Sequence, residues 1–384
     1  MNKASQKIIK SLIECLRNKD KSHHAPNFKG NEKKYLNRCI DNTFVSTVGE
    51  FVDKFEKKLA IYTKSKFVVA TNSGSSALHL ILDYYGLGEG DEVLVPSFTF
   101  VATVNPIIYC GATPNFVDIE LNTLGICPEK LEQYLKKISI KKNNYTFNKK
   151  TKKRIKALIA VHVHGFPCEI DKIKKICKKY NIILIEDAAE ALGSFYKKKH
   201  VGTFGDAAIL SFNGNKTITS GSGGAVIVKS EKIAEKLKHI STQAKVPSST
   251  DSAHDRIGFN YRMSNLSAAL GCAQLENLAK ILKAKRKNFF LYEKKFKNNK
   301  SISILKEPRY SKTNYWLITA KLKNLKDKNF ILKSLRSKGY GLRSVWRPLH
   351  SLKIYKKFPR DNMKNSNLIF NITVNLPSSS RIYY

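Results

Sequence analysis

Phe67-Val68-Val69-Ala70-Thr71-Asn72-Ser73-Gly74-Ser75-Ser76-Ala77-Leu78 decides the fold. The run Phe67 to Ala70 is apolar without alternation, which marks a strand buried on both faces. Small residues follow, and an apolar helical pattern runs from Ser75 to Tyr85. A buried strand feeding a helix through a glycine–serine turn is half of a parallel βαβ unit. The rhythm repeats outward. Val93-Leu94-Val95 reads as a strand and Val101 to Tyr109 as a helix. Asn115 to Asp118 and Ala157 to Val163 read as strands, then Ile170 to Tyr180 as a helix and Ile182 to Ile185 as a strand. Ala207 to Phe212 and Gly224 to Val228 close the series. The expected fold class is therefore α/β: a large domain whose mostly parallel sheet is covered by helices on both faces.

The flanks are different. Ser5 to Arg17 and Val48 to Tyr62 carry helical apolar spacing. Residues 123 to 155 include a Lys/Asn-rich stretch that reads as a surface loop. After about residue 235 the pattern predicts one long helix from Ser264 towards Lys297. Strands at Ser301 to Leu305 and Tyr315 to Leu322 and a helix at Asn329 to Lys338 follow, joined to the first part by a polar connection, 244 to 258. The expected division is an N-terminal segment with the large domain, 1–243, and a small C-terminal α+β domain, 244–384.

The 384 residues carry 69 Lys+Arg against 30 Asp+Glu, a formal net charge of +39. Of the bases, 57 are lysine and 12 arginine, and the lysines are scattered among Asn and Ile along the whole chain. Nucleic-acid readers favour arginine for bidentate contacts, so the excess reads as a bias on solvated faces, and no nucleic-acid partner is expected. A positive field still attracts an anionic substrate. The seven cysteines form no CxxC pair and no Cys/His cluster with metal spacing, which suits free thiols in a reducing compartment and no metal site. No run approaches the ~18 apolar residues of a membrane span, and Met1 to Lys10 lacks the apolar core of a secretory signal. A cytoplasmic protein with no membrane partner is the expectation.

Four segments carry chemistry. Asn72 to Leu78 opens a helix after a buried strand, where small residues and the helix N-terminus suit an anion, although a serine N-cap looks the same. Pro96-Ser97-Phe98-Thr99-Phe100 ends the next strand and offers an aromatic plate, or ordinary core packing. Ile183-Leu184-Ile185-Glu186-Asp187-Ala188-Ala189-Glu190 places acids after an apolar strand; an acid there needs a cation, or caps a helix. Ser211-Phe212-Asn213-Gly214-Asn215-Lys216-Thr217 sets one lysine among small uncharged residues. An exposed loop lysine reads the same way, but a partly desolvated one forms a Schiff base with an aldehyde. Together the segments supply an anion cradle, an aromatic plate, an acid and a lysine, the four needs of pyridoxal 5'-phosphate.

With these residues the chain resembles the fold-type I, pyridoxal-phosphate-dependent sugar aminotransferases of the DegT/DnrJ/StrS family, from about residue 25 to the end. The resemblance implies that Gly74, Ser75 and Ser211 contact the cofactor phosphate, Phe100 stacks on the ring and Asp187 pairs with the ring nitrogen. It places Glu190 beside the ring and makes Lys216 the catalytic lysine that bonds the cofactor. Gly258-Phe259-Asn260-Tyr261-Arg262-Met263 is similar to the family segment that reaches into a neighbouring subunit, implying a homodimer in which Asn260 touches the partner's cofactor phosphate. His164 in His162-Val163-His164-Gly165-Phe166-Pro167, Tyr261, and His350 in Trp346-Arg347-Pro348-Leu349-His350 are the substrate-side candidates by the same resemblance. Alone, His164 reads better as a structural or capping histidine.

Many relatives have Glu where this chain has Ser222, which touches a local turn contact. A dehydratase branch replaces the lysine by histidine, so Lys216 argues for transamination. The N-terminal segments Phe28 to Tyr35 and Thr43 to Gly49 resemble the branch assigned to legionaminic-acid-type pathways. That implies transfer of an amino group from L-glutamate to C4 of a nucleotide-linked 4-keto-6-deoxy, 2-acetamido sugar. Branches acting on perosamine, bacillosamine or pseudaminic-acid precursors are the neighbours. A dehydratase and a non-catalytic sugar-nucleotide-binding regulator are the rival readings.

Overall fold

The computed structural model describes residues 3–246 and 253–383. The helices are α1 (Lys3–Cys15), α2 (Glu32–Asp41), α3 (Glu50–Thr63), α4 (Gly74–Tyr84), α5 (Asn105–Tyr109), α6 (Pro128–Ile138), α7 (Ile170–Tyr180), α8 (Glu231–Ser241), α9 (Asn265–Glu276), α10 (Leu278–Phe296), α11 (Leu325–Arg336) and α12 (Lys364–Ile372). The strands of the first half are β1 (Phe67–Thr71), β2 (Asp91–Pro96), β3 (Thr113–Val117), β4 (Ser139–Lys142), β5 (Tyr145–Asn148), β6 (Arg154–Val161) and β7 (Ile183–Asp187). Then come β8 (Phe195–Tyr196), β9 (Lys199–His200), β10 (Ala207–Ser211) and β11 (Gly224–Val228). The C-terminal strands are β12 (Ile302–Ile304), β13 (Ser311–Lys312), β14 (Ile318–Leu322), β15 (Arg343–Ser344) and β16 (Thr373–Leu376).

The central sheet has the order β1-β11-β10-β7-β6-β2-β3. β11 is antiparallel to β1 and β10, and the other pairs along this order are parallel. Successive strand residues face opposite sides. Val69, Ile185, Ile209 and Val226 join the core under α4, while Val68, Leu184, Leu210 and Ile227 join the core shared with Phe55, Ile173 and Cys272. Both faces are thus buried, which is why the strands read as unbroken apolar runs.

Register fixes where the site forms. Thr71 and Ser211 both pair with Gly224, and Val161 and Ile209 both pair with Asp187. The carboxyl ends of β1, β10, β7 and β6 therefore finish at one edge, the place where open α/β sheets hold ligands. A second, antiparallel sheet, β12-β14-β16-β15, carries α10, α11 and α12. The chain crosses residue 243 in both directions. α1 packs on α10 and α11, with Ser5 Oγ donating to Asp327 Oδ1 at 2.7 Å, while α9 packs on α2 and α3.

Three sequence expectations are corrected. Residues 123–155 are not a loop: α6 buries Leu131, Tyr134 and Leu135, and the β4–β5 hairpin joins the sheet through Phe147 and Arg154. The lysines of this stretch hold the solvent side and hide the apolar stripe in the composition. The long helix breaks at Asn277 into α9 and α10, and the helix expected at Val101 to Tyr109 is a 3₁₀ turn, Val101–Thr103, followed by the five-residue α5 with Pro106 in its first turn. Part of the polar connection, 247–252, lies outside the described residues. Among the described residues no helix is long and apolar enough to cross a membrane.

Candidate active site

Lys216 lies on the loop that leaves β10. Its Nζ is 3.4 Å from Glu190 Oε1 and 4.6 Å from the centroid of the Trp316 ring. The loop is pinned from the C-terminal part of the chain: Trp316 Nε1–H donates to the carbonyl of Asn215 at 2.7 Å, and Asn314 Nδ2 reaches Thr217 Oγ1 at 3.1 Å. A lysine placed this way keeps an aromatic face on one side and a carboxylate on another, with little water around it.

Asp187 ends β7. Thr103 Oγ1 donates to its Oδ2 at 2.8 Å and the Ala189 N–H to its Oδ1 at 3.0 Å, which fixes the plane of the carboxylate. Glu186, one residue earlier, faces the other side of the sheet. It is fully buried, bonded to His162 Nε2 at 3.0 Å and to three backbone N–H groups from Gly202 to Gly205, so it is structural. Glu190 sits in the turn after β7 with its Oε2 accepting the His164 N–H at 2.8 Å. Burial pushes the Glu190 carboxyl up to about 7, although Lys216 and the His164 N–H hold it down.

Gly74 and Ser75 open α4, whose N-cap is Ser73; its side chain accepts from Ser76 N–H at 3.0 Å. A Cβ on Gly74 would stand 3.0 Å from the Ser211 Cβ. Glycine there lets the helix N-terminus lie directly against the Ser211 hydroxyl. Free N–H groups, a helix dipole and two hydroxyl side chains make a cradle for a phosphate dianion. Phe100 is 51% exposed and its ring centroid is 6.1 Å from that of Trp346. From Trp346 the aromatic contacts continue through His164 (5.0 Å) and Trp316 (6.2 Å) to Lys216. The cradle, the plate, the carboxylate and the lysine fit pyridoxal phosphate by donor chemistry: anion against N–H groups, ring nitrogen against carboxylate, aldehyde against amine.

The remaining candidates separate. His164 is completely buried, at φ 53°, with Nδ1 against Thr319 Oγ1 at 3.0 Å and Nε2 against Asn375 Nδ2 at 3.4 Å. Burial lowers it to about 3, so it is a neutral link between the two sheets with neither ring nitrogen open to a substrate. Gly165 beside it has φ +91°, and a Cβ there would fall 1.9 Å from Asn314 Oδ1, so the turn needs glycine. Tyr261 points its hydroxyl at His79 Nδ1 (3.0 Å) and stacks on Phe259, against α4 and not against Lys216. Asn260 is exposed, and its carbonyl accepts from Asn72 Nδ2 at 3.1 Å at the entry to α4. His350 reaches the end of β2, where its Nδ1 is 2.6 Å from Ser97 Oγ. Ser222 donates its hydroxyl to the Asn72 carbonyl at 2.6 Å, tying the β10–β11 loop to the same entry.

Sequence reasoning missed Trp316, Asn314 and Thr103. Nothing local marks them, since each acts on a residue 84 to 124 positions away.

Residues 26–383 match the DegT/DnrJ/EryC1/StrS aminotransferase family. The chain is 38% identical to the GDP-perosamine synthase of Vibrio cholerae over 92% of this chain and 93% of that protein. It is 33% identical to the UDP-4-amino-4,6-dideoxy-N-acetyl-beta-L-altrosamine transaminase of Campylobacter jejuni serotype O:23/36, covering 87% and 86%. Among solved structures, Helicobacter pylori PseC, an aminotransferase involved in the biosynthesis of pseudoaminic acid, superposes with a TM-score of 0.84 at 25% identity over 94% of both chains. The chain belongs to the DegT/DnrJ/EryC1/StrS family and is a pyridoxal-phosphate-dependent aminotransferase of fold type I.

Proposed function

We propose that this enzyme moves an amino group from L-glutamate to C4 of a nucleotide-linked 4-keto-6-deoxy sugar. The observation that carries the reading is Lys216: a single lysine, 3.4 Å from Glu190 and over the Trp316 ring, at the same sheet edge as Asp187 and the N-terminus of α4. When bound, pyridoxal phosphate supplies an aldehyde that bonds an amine and a protonated ring that draws off electrons from the neighbouring C–H bond. Lys216 Nζ takes a proton from the donor's carbon and delivers one to C4 of the sugar. Asp187, oriented by Thr103, would hold the ring nitrogen protonated. The α4 N-terminus and Ser211 would hold the phosphate, and Phe100 would offer its exposed ring to the cofactor. Two half-reactions through one site give ping-pong kinetics.

The relatives' names support a nucleotide sugar with an amine at C4. The N-terminal resemblance favours a 2-acetamido sugar of the legionaminic-acid type, serving surface-glycan synthesis. The 38% identical Vibrio relative, a GDP-perosamine synthase by name, favours a second reading, a GDP-linked sugar. Exposed Asn260 beside Asn72 suits a homodimer in which it meets the partner's cofactor phosphate. Seven free cysteines suit a reducing, cytoplasmic setting.

The test incubates holoenzyme and L-glutamate with GDP- and UDP-linked 4-keto-6-deoxy sugars, with and without the 2-acetamido group, and measures 2-oxoglutarate and amino sugar. Amino-sugar formation from one of them is expected. Loss of water without amine transfer would turn the reading to a dehydratase, and binding without turnover to a regulator.

A further inference from the structure

A groove of about 420 Å³ lies on the three-stranded sheet β13-β8-β9, away from the cofactor residues. Phe195, Lys197, Lys198, Arg309, Tyr310 and Lys312 line it. β8 pairs with β9 as Tyr196 with Lys199, so the chain reverses on two residues, Lys197 and Lys198, with φ 46° and 65°. A two-residue hairpin turn with both φ values positive favours Asn-Gly. Here two lysines take those strained positions and stand at the groove. The Lys197 N–H donates to the Tyr310 carbonyl at 2.8 Å, which ties the turn to the stretch entering β13. β13 pairs with β8 as Ser311 with Tyr196 and Lys312 with Phe195, so cations from two elements face one cavity.

The general lysine excess does not account for this place. Arg309 is one of 12 arginines in a chain with 57 lysines. Lys198, Arg309 and Lys312 are exposed and make no ion pair among the described residues. The acids on this side are engaged. Asp171 holds Lys197 Nζ and the Tyr196 hydroxyl, both at 2.5 Å, Glu169 holds Lys172 at 3.0 Å, and Glu120 accepts the Asn122 and Thr123 N–H groups. Three cations without a counter-charge, spread over two elements, suit an anion whose several charges are spread over several oxygens, and a guanidinium fork matches phosphate. The groove is larger than one phosphate fills and falls in the size range of small-molecule sites. Tyr310, 36% exposed, offers a ring face to a base. We propose that this groove binds a diphosphate group, of the kind a nucleoside diphosphate carries, at a site separate from the cofactor's.

The test is equilibrium dialysis of the holoenzyme, its phosphate cradle filled, against inorganic pyrophosphate, GDP and UDP at about 0.15 M salt, which screens scattered surface charge. Saturable pyrophosphate binding with a Kd below about 1 mM is expected. Lys198→Gly and Arg309→Gln each weaken it about tenfold and together abolish it, while turnover is unchanged. Glycine fits the left-handed turn, so Lys198→Gly also raises the melting temperature by about 1–2 °C. Affinity and stability then move in opposite directions, which a purely structural lysine would not give. GDP or UDP binding tighter than pyrophosphate, with the gain lost in Tyr310→Ala, identifies a nucleotide as the source; equal affinities identify the diphosphate alone. No saturable pyrophosphate binding, or binding indifferent to both substitutions, overturns the proposal. Turnover falling in step with binding overturns the separateness of the site. Should Arg309→Gln not fold, Lys198→Gly decides alone: pyrophosphate affinity equal to wild type overturns the proposal. The result reads binding of pyrophosphate and is independent of which sugar the enzyme aminates.

Discussion

Lys285 and Lys216 are both drawn out of bulk water, one completely and one in part, and they do opposite things. Lys285, on α10, is completely buried, and its Nζ donates to the carbonyls of Trp316 and Ser378 at 3.0 and 3.1 Å and meets His24 Nε2 at 2.7 Å. An ammonium has three N–H bonds, and all three are used. Lys216 has one long contact to Glu190 and a ring face. Lys285 has every donor engaged, whereas Lys216 keeps donors left over. Both lysines converge on Trp316, one on its carbonyl and one over its ring, so the structural lysine holds the platform of the chemical one.

The comparison breaks most sharply at Lys216. Lys216→Ala is expected to lower turnover by about a thousandfold or more while the melting temperature stays within a few degrees. Steady-state assay and calorimetry check it, and retained activity would remove the lysine from the chemistry. Lys285→Met gives the reverse: a loss of roughly 3 kcal/mol of stability, because two carbonyls and a histidine nitrogen lose their donor in a buried place. Chemical denaturation measures it, and a variant as stable as wild type would show that the three contacts contribute nothing.

The pH dependence sharpens the contrast. Burial pushes Lys285 down to about 7 from 10.5 and Glu190 up to about 7 from 4.5. Between about 7 and 10.5 the folded chain holds fewer protons at Lys285 than the unfolded one, so stability rises with pH there. Between 4.5 and about 7 the folded chain holds more at Glu190, so stability falls as pH rises through that window. Lys285→Met should erase the first slope and Glu190→Gln the second, read from denaturation curves across both windows. The smallest effect is expected at Trp316→Phe. The ring under Lys216 remains and the 2.7 Å bond to Asn215 is lost, costing about 1 kcal/mol of stability and a few-fold in kcat. A hundredfold loss would mean that the indole N–H does more than hold the loop.

Much of the fold was legible because each central strand is short, apolar and punctuated. Asp187, Ser211 and Gly74 were legible for a related reason: a polar or small residue directly after such a strand stands at its carboxyl end. Helix α6 was not legible, because lysines on its wet face outweigh Leu131, Tyr134 and Leu135 in the composition. Lys285 lies in Lys283-Ala284-Lys285-Arg286-Lys287, which reads as a solvated run. Yet the stripe Leu278, Ile281, Lys285, Asn288, Tyr292 and Phe296 is spaced at threes and fours and is all buried, so periodicity carried a signal that charge concealed.

What the sequence determined by itself is the local grammar: buried strands, the turns after them, and a lysine, an acid and a glycine–serine helix start placed at those turns. Such features depend on neighbours a few residues away, where hydrophobic periodicity and backbone freedom act. The tertiary structure alone decided which side chains finish the site. Trp316 and Asn314 meet the Lys216 loop, and the His164 ring is taken up by Thr319 and Asn375, because the second sheet packs across the carboxyl ends of the first. Contacts between residues about a hundred positions apart follow from how two cores dock, and no short window of sequence records that docking.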